Sequence, residues 1–126
     1  MTILRTGVDL VEIARFSSAV ERHGKRFLER VFTPQELEEV GQLEGSMASL
    51  AARFAAKEAV SKAFCTGIGQ LTWREIEVLR GPEREPVLNL TGTAARWAEE
   101  QNLTAWSVSL SHTENYAIAM VVALGD

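Results

Sequence analysis

The chain has 126 residues and a mass of 13.9 kDa, which suits one domain with a hydrophobic core and leaves little room for a second. Hydrophobic residues make up 46% and charged residues 24%, a balance that excludes a wholly disordered chain. The net charge of −4 at pH 7 argues against a general nucleic-acid binder, because such proteins present a basic face.

Membrane and redox features of the sequence point to one compartment. The longest apolar run, 117–124, is far shorter than the roughly 20 residues that cross a bilayer, and the N-terminus lacks the basic and apolar regions of a secretory signal. The single cysteine, Cys65, cannot form an internal disulfide, and no cluster of cysteine and histidine suits a structural zinc. We therefore expect a soluble, cytoplasmic protein that binds neither membranes nor nucleic acid.

The first half of the chain predicts one strand followed by three helices. In order, they are a strand over 3–10, a helix over 12–23, a helix over 34–41 and a helix over 46–64. Gly24 is placed to follow the end of the first helix. Thr33 can cap the second helix, and Glu36 completes a capping box with it. Alanine, a strong helix former, dominates the third helix.

The second half of the chain predicts mainly strands. In order, the elements are strands over 75–80 and 87–90, a helix over 92–101 capped by Thr91, a strand around 106–111, a turn over 112–115 and a strand over 116–124. Residues 106–111 alternate apolar and serine side chains, which indicates a half-buried strand, whereas 116–124 is apolar enough to be buried on both faces. This order predicts an α+β fold in a single domain, 1–126, with helices packed on a mostly antiparallel sheet.

Three charged side chains carry the clearest chemical signal. Asp9 ends the first strand, and Glu58 and Lys62 lie four residues apart on one face of the alanine-rich helix. Each has a structural explanation, since an aspartate can turn the chain after a strand and an exposed Glu–Lys pair contributes about 0.3–0.5 kcal/mol of helix stability. Together with the basic Arg53 and Lys57, they suggest magnesium and a phosphorylated substrate. Mg²⁺ takes one or two protein carboxylates, here Asp9 and Glu58, and completes its shell with phosphate oxygens and water.

Two polar loops and one basic stretch carry weaker signals. The glycines of 66–69 allow a ligand close to the backbone, and they equally suit the end of a helix. His112, flanked by hydroxyl side chains, suits either a phosphate or an ordinary hairpin turn. The basic residues of 22–30 are either a solvated helix face or a dock for an acidic partner. A serine or cysteine hydrolase is unsupported, because the sequence has no Gly-x-Ser-x-Gly elbow and no histidine adjoins Cys65.

Four segments run in order across nearly the whole chain. They are Gly7-Val-Asp-Leu-Val-Glu-Ile13 with Arg15-Phe16, Phe32-Thr-Pro-Gln-Glu36, Arg53-Phe-Ala-Ala-Lys-Glu-Ala-Val-Ser-Lys-Ala-Phe64, and Ser109-Leu-Ser-His-Thr113 with Tyr116-Ala117. These segments resemble the holo-acyl-carrier-protein synthases, the short-chain type of 4′-phosphopantetheinyl transferase. Two positions depart from that family, since Cys65 stands where glycine is usual and Arg84-Glu85 precedes Pro86 where Gly-Lys is common.

The resemblance implies a 4′-phosphopantetheinyl transferase-like fold and an activity on coenzyme A. The phosphopantetheine arm passes to a serine of apo-acyl carrier protein, in fatty acid biosynthesis, with release of adenosine 3′,5′-bisphosphate. Asp9 and Glu58 then bind magnesium. Glu58 and Lys62 act in catalysis, with Glu58 taking the serine proton directly or through a metal-bound water. The implied substrate contacts are Arg53, Lys62, Gly67, Ser111, His112 and Thr113.

The same resemblance implies two kinds of protein partner. Arg15, Arg22 and Arg26 receive the acidic carrier protein, and the chain assembles as a homotrimer with sites between subunits. The apolar segment 116–124 is consistent with such an interface and equally with an ordinary core strand. Two other functions stay open, namely a non-catalytic module that binds coenzyme A or carrier protein and a small metal-dependent phosphohydrolase.

Overall fold

The computed structural model describes residues 1–42, 45–66 and 71–126. Its strands and helices are, in chain order, β1 (Ile3–Glu12), α1 (Ile13–Val31), α2 (Pro34–Val40), α3 (Ser46–Ala63), β2 (Ile76–Arg80), β3 (Pro86–Leu90), α4 (Gly92–Glu100), β4 (Leu103–His112) and β5 (Tyr116–Gly125). A short 3-10 turn, Trp73–Glu75, leads into β2. None of the helices within these residues has the length and apolar character that a membrane span requires.

The strands form two antiparallel sheets. β5 lies between β1 and β4 in a three-stranded sheet, and β2 pairs with β3 in a hairpin. α3 packs on the three-stranded sheet, where its alanines and Val60 share an apolar core with Ala119 and Val121 of β5. The predicted α+β class, with helices packed on an antiparallel sheet, is confirmed.

α3 approaches β1 closely because the facing residues have small side chains or none. A Cβ atom on Gly7 would lie 1.9 Å from the carbonyl oxygen of Ala59 and 3.1 Å from the amide nitrogen of Ala63. Only glycine fits at such distances. The contact brings the second half of β1, with Asp9, beside the stretch of α3 that carries Glu58. The strand continues to Glu12, so Asp9 lies within it and not at its end as predicted.

A buried polar cluster anchors α3 to two neighbouring elements. Lys57 and Glu36 are both 0% exposed, and Lys57 Nζ donates to Glu36 Oε1 across 2.8 Å. The same ammonium group donates to the carbonyls of Trp73 and Ile76, and Glu36 Oε2 accepts the amide of Val78 at 2.9 Å. Burial lowers the pKa of Lys57, and the Glu36 carboxylate opposes that shift. The cluster therefore joins α2, α3 and β2 through charges that are paired and hydrogen-bonded.

Two local predictions in the first half of the chain can be compared with the backbone. The capping box is present, since the Thr33 hydroxyl accepts the amide of Glu36 and the Glu36 carboxylate accepts the amide of Thr33. Gly24, at φ 61° and ψ −144°, ends one helical segment as predicted. The prediction of a single helix there is incomplete, because a second segment continues to Val31 and packs in the apolar cluster around Phe16.

The expectation that 116–124 is buried on both faces is wrong for the single chain. Successive side chains of a strand point to opposite faces of the sheet, and only one face of β5 is covered. On the other face, four apolar side chains of β5 are 39–50% exposed, and β1 adds three more at paired positions. Together these residues are termed the outer sheet face: Leu4, Val8, Leu10, Tyr116, Ile118, Met120 and Leu124.

Candidate active site

Asp9, Glu58 and Lys62 come together at the contact between β1 and α3. Lys62 Nζ lies 3.0 Å from Asp9 Oδ1 and also donates to the backbone carbonyl of Val8 across 2.9 Å. The Lys62 side chain is 52% exposed, whereas that of Asp9 is 18% exposed. Glu58 lies one helical turn before Lys62 on α3. Two carboxylates and one ammonium group that a ligand can reach therefore share this corner of the molecule.

The Glu58 carboxyl lies in an unfavourable place for a negative charge. Partial burial raises its pKa, the neighbouring Asp9 carboxylate raises the pKa further, and the Lys62 ammonium group only partly offsets the rise. A cation would relieve the repulsion between the two carboxylates.

The donor atoms of this cluster fit magnesium. Carboxylate oxygens are hard ligands, and Mg²⁺ usually binds one or two of them and keeps water or phosphate oxygens in its other positions. Within residues 1–42, 45–66 and 71–126, no group of three or more His, Cys, Asp or Glu side chains forms a fuller metal cage. Asp9 and Glu58 would thus leave most positions of the ion to water and to a substrate.

A cleft of about 760 Å³ opens beside the two carboxylates. Its charged lining includes Asp9, Glu58 and Arg15, and its apolar lining includes Phe27 and Phe54. The cleft therefore offers a substrate both charged and apolar contacts, and it places a guanidinium group of α1 near the cluster.

The other predicted docking residues extend from this cleft along α1. Arg22 lines an adjoining hollow with Arg15 and His23, and Arg26 lines the next hollow with His23 and Arg30. All five side chains are exposed. These five residues, termed the α1 basic surface, follow the helix from the cleft to its C-terminal turn.

Ser111 and His112 lie elsewhere, at the end of β4. They line a second cavity, of about 350 Å³, together with Ser49, Arg80 and Arg84. Among the described residues, this cavity and the cleft have no lining residue in common. A single chain thus separates the predicted site residues into two places.

The sequence analysis missed Arg80 and Arg84 as candidate contacts for an anion. The hairpin of β2 and β3 brings them together, and Arg80 Nη1 donates to the carbonyl of Arg84 across 2.7 Å. Two arginines on either side of a Gly-Pro turn are the sequence signal that indicates such a pair.

Both departures from the family pattern fall at left-handed backbone positions. Cys65 has φ 62° and Arg84 has φ 67°, a region that glycine enters without steric cost. Glycine would adopt either conformation without steric cost, whereas this chain has cysteine and arginine there.

The remaining predicted contacts have other surroundings. Arg53 is 1% exposed and its Nη2 lies 2.6 Å from Glu39 Oε1, so an anion would reach the guanidinium only by displacing Glu39. In the single chain this guanidinium therefore forms an ion pair with Glu39, and its contact with a substrate phosphate stays a prediction. The Thr113 hydroxyl accepts two backbone amides within the β4–β5 turn. Gly67 lies outside the described residues.

Comparison with known proteins identifies the family of the chain. Residues 5–121 match the 4′-phosphopantetheinyl transferase superfamily. The holo-[acyl-carrier-protein] synthase of Dehalococcoides mccartyi is 50% identical over 121 residues, which cover 96% of this chain and 98% of the relative. The crystal structure of the synthase from Neisseria meningitidis has a TM-score of 0.85 and 37% identity, covering 94% of this chain and 96% of that chain. The synthase of Helicobacter pylori, in complex with coenzyme A, has a TM-score of 0.81 and 35% identity, covering 94% and 98%. The chain belongs to the holo-acyl-carrier-protein synthase family of the 4′-phosphopantetheinyl transferase superfamily.

Proposed function

We propose that the chain is a magnesium-dependent holo-acyl-carrier-protein synthase, which transfers 4′-phosphopantetheine from coenzyme A to a serine of apo-acyl carrier protein. The observation that carries the proposal is the cluster of Asp9, Glu58 and Lys62 in a cleft of a chain 50% identical to such a synthase. The second product is adenosine 3′,5′-bisphosphate. The activity belongs to a single domain, 1–126, and this is supported by two apolar clusters that meet at Val11 and Leu110.

The reaction creates negative charge beside the Lys62 ammonium group. As the serine oxygen attacks the β-phosphate of coenzyme A, charge builds up on the pyrophosphate oxygens and on the leaving phosphate. The exposed Lys62 ammonium group can turn toward those oxygens and stabilise them. Glu58 takes the serine proton either directly or through a water that the metal would hold, and the water route is favoured because a carboxylate that binds a cation is itself a weak base. Asp9 and Glu58 would hold a magnesium ion, whose contribution is to neutralise pyrophosphate charge.

The nucleotide end of coenzyme A is bound by a second copy of the chain. Ser111 and His112, with the neighbouring Arg80 and Arg84, suit a phosphate group, but their cavity is separate from the cleft. A homotrimer with sites between subunits unites the two places. The outer sheet face supports this assembly, because its apolar side chains are 39–63% exposed in the single chain. Gly67 and Thr113 stay predicted contacts for the same substrate.

The α1 basic surface receives the carrier protein, whose acidity is part of the proposal. Its position supports this role, since Arg15 lines the cleft of the two carboxylates and Arg22 lines the adjoining hollow. An acidic protein seated along α1 would bring its serine to the cleft. Attraction between opposite charges chiefly accelerates the encounter.

Incubation with coenzyme A and Mg²⁺, with and without apo-carrier, tests the proposal, with mass spectrometry of the carrier as the readout. The expected result is a carrier that gains one phosphopantetheine group only when protein, coenzyme A and Mg²⁺ are all present. Cleavage of coenzyme A without carrier would instead indicate a phosphohydrolase. Binding of coenzyme A or carrier without any mass gain would indicate a non-catalytic module.

A further inference from the structure

We infer that Lys62 and the divalent cation compete for Asp9, so that the protein binds the cation together with the pyrophosphate of coenzyme A and binds the free ion weakly. The inference rests on the proposed function, and it concerns the form in which the substrate and its metal enter the site.

The contacts of Lys62 place its ammonium group where a cation would approach Asp9. Its Nζ atom donates to Asp9 Oδ1 at 3.0 Å and to the backbone carbonyl of Val8 at 2.9 Å. The carbonyl contact fixes the ammonium group on β1 beside the aspartate. A free dication that approached Asp9 would therefore meet a positive charge already paired with that carboxylate.

Pyrophosphate changes this competition because it offers Lys62 other acceptors. The Lys62 side chain is 52% exposed and lies in the last turn of α3, so it can leave Asp9 without disturbing the core. Once the ammonium group binds phosphate oxygens, Asp9 and Glu58 become available to the cation. Binding of cation and coenzyme A is then mutually favourable, and each raises the affinity for the other by the same factor.

The second lysine of α3 shows why the exchange is confined to Lys62. Lys57 is 0% exposed and donates to the Glu36 carboxylate and to the carbonyls of Trp73 and Ile76. A lysine held by three buried acceptors cannot follow a substrate, whereas Lys62 has one side open to solvent.

Binding of Mn²⁺ to the full chain, measured by the loss of the electron paramagnetic resonance signal of the hydrated ion, tests the inference. Without coenzyme A, Lys62→Met is expected to bind Mn²⁺ about tenfold more tightly than the wild type, within the range usual for coupled sites. Coenzyme A is expected to tighten Mn²⁺ binding by the wild type by a similar factor. Lys62→Arg, which keeps a cation beside Asp9, should retain the weak affinity of the wild type.

Arg96→Met is the matched control, because it also removes one positive charge paired with a carboxylate. Arg96 Nε lies 3.8 Å from Glu100 Oε1 on the exposed face of α4. This variant should bind Mn²⁺ like the wild type, which separates local competition from a change in net charge. Circular dichroism checks that all variants are folded.

Two results would overturn the inference, and they differ in what they say about the proposed function. If the wild type without coenzyme A binds Mn²⁺ as tightly as Lys62→Met does, competition at Asp9 is absent while the metal site stands. If neither Lys62→Met alone nor the wild type with coenzyme A binds Mn²⁺, the metal site itself is wrong and the proposed magnesium dependence fails with it.

Discussion

α3 carries two charged clusters, one around Lys57 and one around Glu58, that differ in whether their charges are balanced. Lys57 is buried against Glu36, and its ammonium group has three acceptors. Glu58 faces a second carboxylate, Asp9, and the cation beside them, Lys62, is half exposed. A buried cluster with every charge paired fixes the positions of the elements around it. A partly exposed cluster with excess negative charge can still bind a cation. Mutation of the buried cluster should therefore lower stability, whereas mutation of the exposed cluster should lower activity.

The largest expected effect is the loss of transfer when a carboxylate is removed from the cluster of Asp9, Glu58 and Lys62, termed the open cluster. Asp9→Asn and Glu58→Gln should each lower kcat/KM by about 10²- to 10⁴-fold, because they remove a metal ligand or the proton acceptor. Both variants should still fold, since neither group is tied into the core. Rates of carrier modification at saturating Mg²⁺ and thermal melts by circular dichroism measure both quantities. Near-normal turnover of either variant would contradict the assignment.

The opposite result is expected at the buried cluster. Lys57→Met should lower the free energy of unfolding by about 3–5 kcal/mol, because it leaves the Glu36 carboxylate buried without its cation. Urea denaturation measures the loss, and activity per folded molecule should stay close to that of the wild type. Adding Glu36→Gln to the same chain should recover part of the stability, because no lone charge then remains, although the glutamine amide nitrogen would face one of the two backbone amides that donate to Glu36. A loss no larger than that of Lys62→Met would show that the two clusters do not differ in this way.

Local sequence rules predict most of the helices and strands, but they do not distinguish the buried cluster of Lys57 from the exposed cluster of Glu58. The Thr33 capping box, Gly24 at a helix end and the alanine-rich α3 follow from local rules, and each is found in the structure. The environments of Lys57 and Arg53 do not follow, because alanines lie on several faces of α3 and leave no amphipathic pattern to tell buried from exposed positions. Both of these basic residues find buried or partly buried acids on α2, and such pairing is set by tertiary contact alone.

Neither the division of the site nor the outer sheet face was accessible from periodicity. A strand with apolar residues at every position is compatible with burial on both faces, whereas in the single chain one face of β5 is exposed. The separation of His112 from Asp9 likewise depends on the strand order, because β5 lies between β1 and β4, with Asp9 opposite Ala119 and His112 opposite Ala117.

Charge reversal on α1 tests whether the α1 basic surface binds the carrier protein beside the open cluster. Arg22→Glu with Arg26→Glu should raise the KM for the carrier protein about tenfold at low salt, from roughly 1 kcal/mol or less for each exposed charge contact. Its dependence on salt should flatten, because attraction between the two surfaces is screened by ions. The KM for coenzyme A should change little. Steady-state kinetics at two ionic strengths, with Arg96→Glu as the control, separates these effects, and equal changes in both KM values would show that the surface does not dock the carrier.

The raised pKa of Glu58 predicts a small dependence of stability on pH. In the folded state this carboxyl holds its proton to higher pH than in the unfolded state, so folding is favoured at low pH and that advantage is lost as the pH rises past the usual glutamate value. Glu58→Gln cannot ionise and should therefore be more stable than the wild type near pH 7, by less than about 1 kcal/mol because solvent screens the site. Near pH 4 and below the difference should vanish. A difference of equal size at both pH values, in urea melts without metal, would show that ionisation of Glu58 is not its cause.

The smallest expected effect is a change in stability at Cys65, which follows the C-terminal end of α3. The Cys65 amide donates to the carbonyl of Lys62 across 2.9 Å. Its φ of 62° costs an L-residue about 1–2 kcal/mol, whereas glycine adopts it freely but loses more chain entropy on folding, by about 0.5–1 kcal/mol. Cys65→Gly should therefore stabilise the protein by about 0.5 kcal/mol, seen as a higher urea midpoint with an unchanged slope. The thiol also accepts a hydrogen bond from Arg5 Nη1 at 2.9 Å, and this contact is lost in the variant. Cys65→Ala is the matched control, because it removes the same contact and keeps the backbone strain. If Cys65→Gly is no more stable than Cys65→Ala, the left-handed backbone at this position does not cost the protein stability.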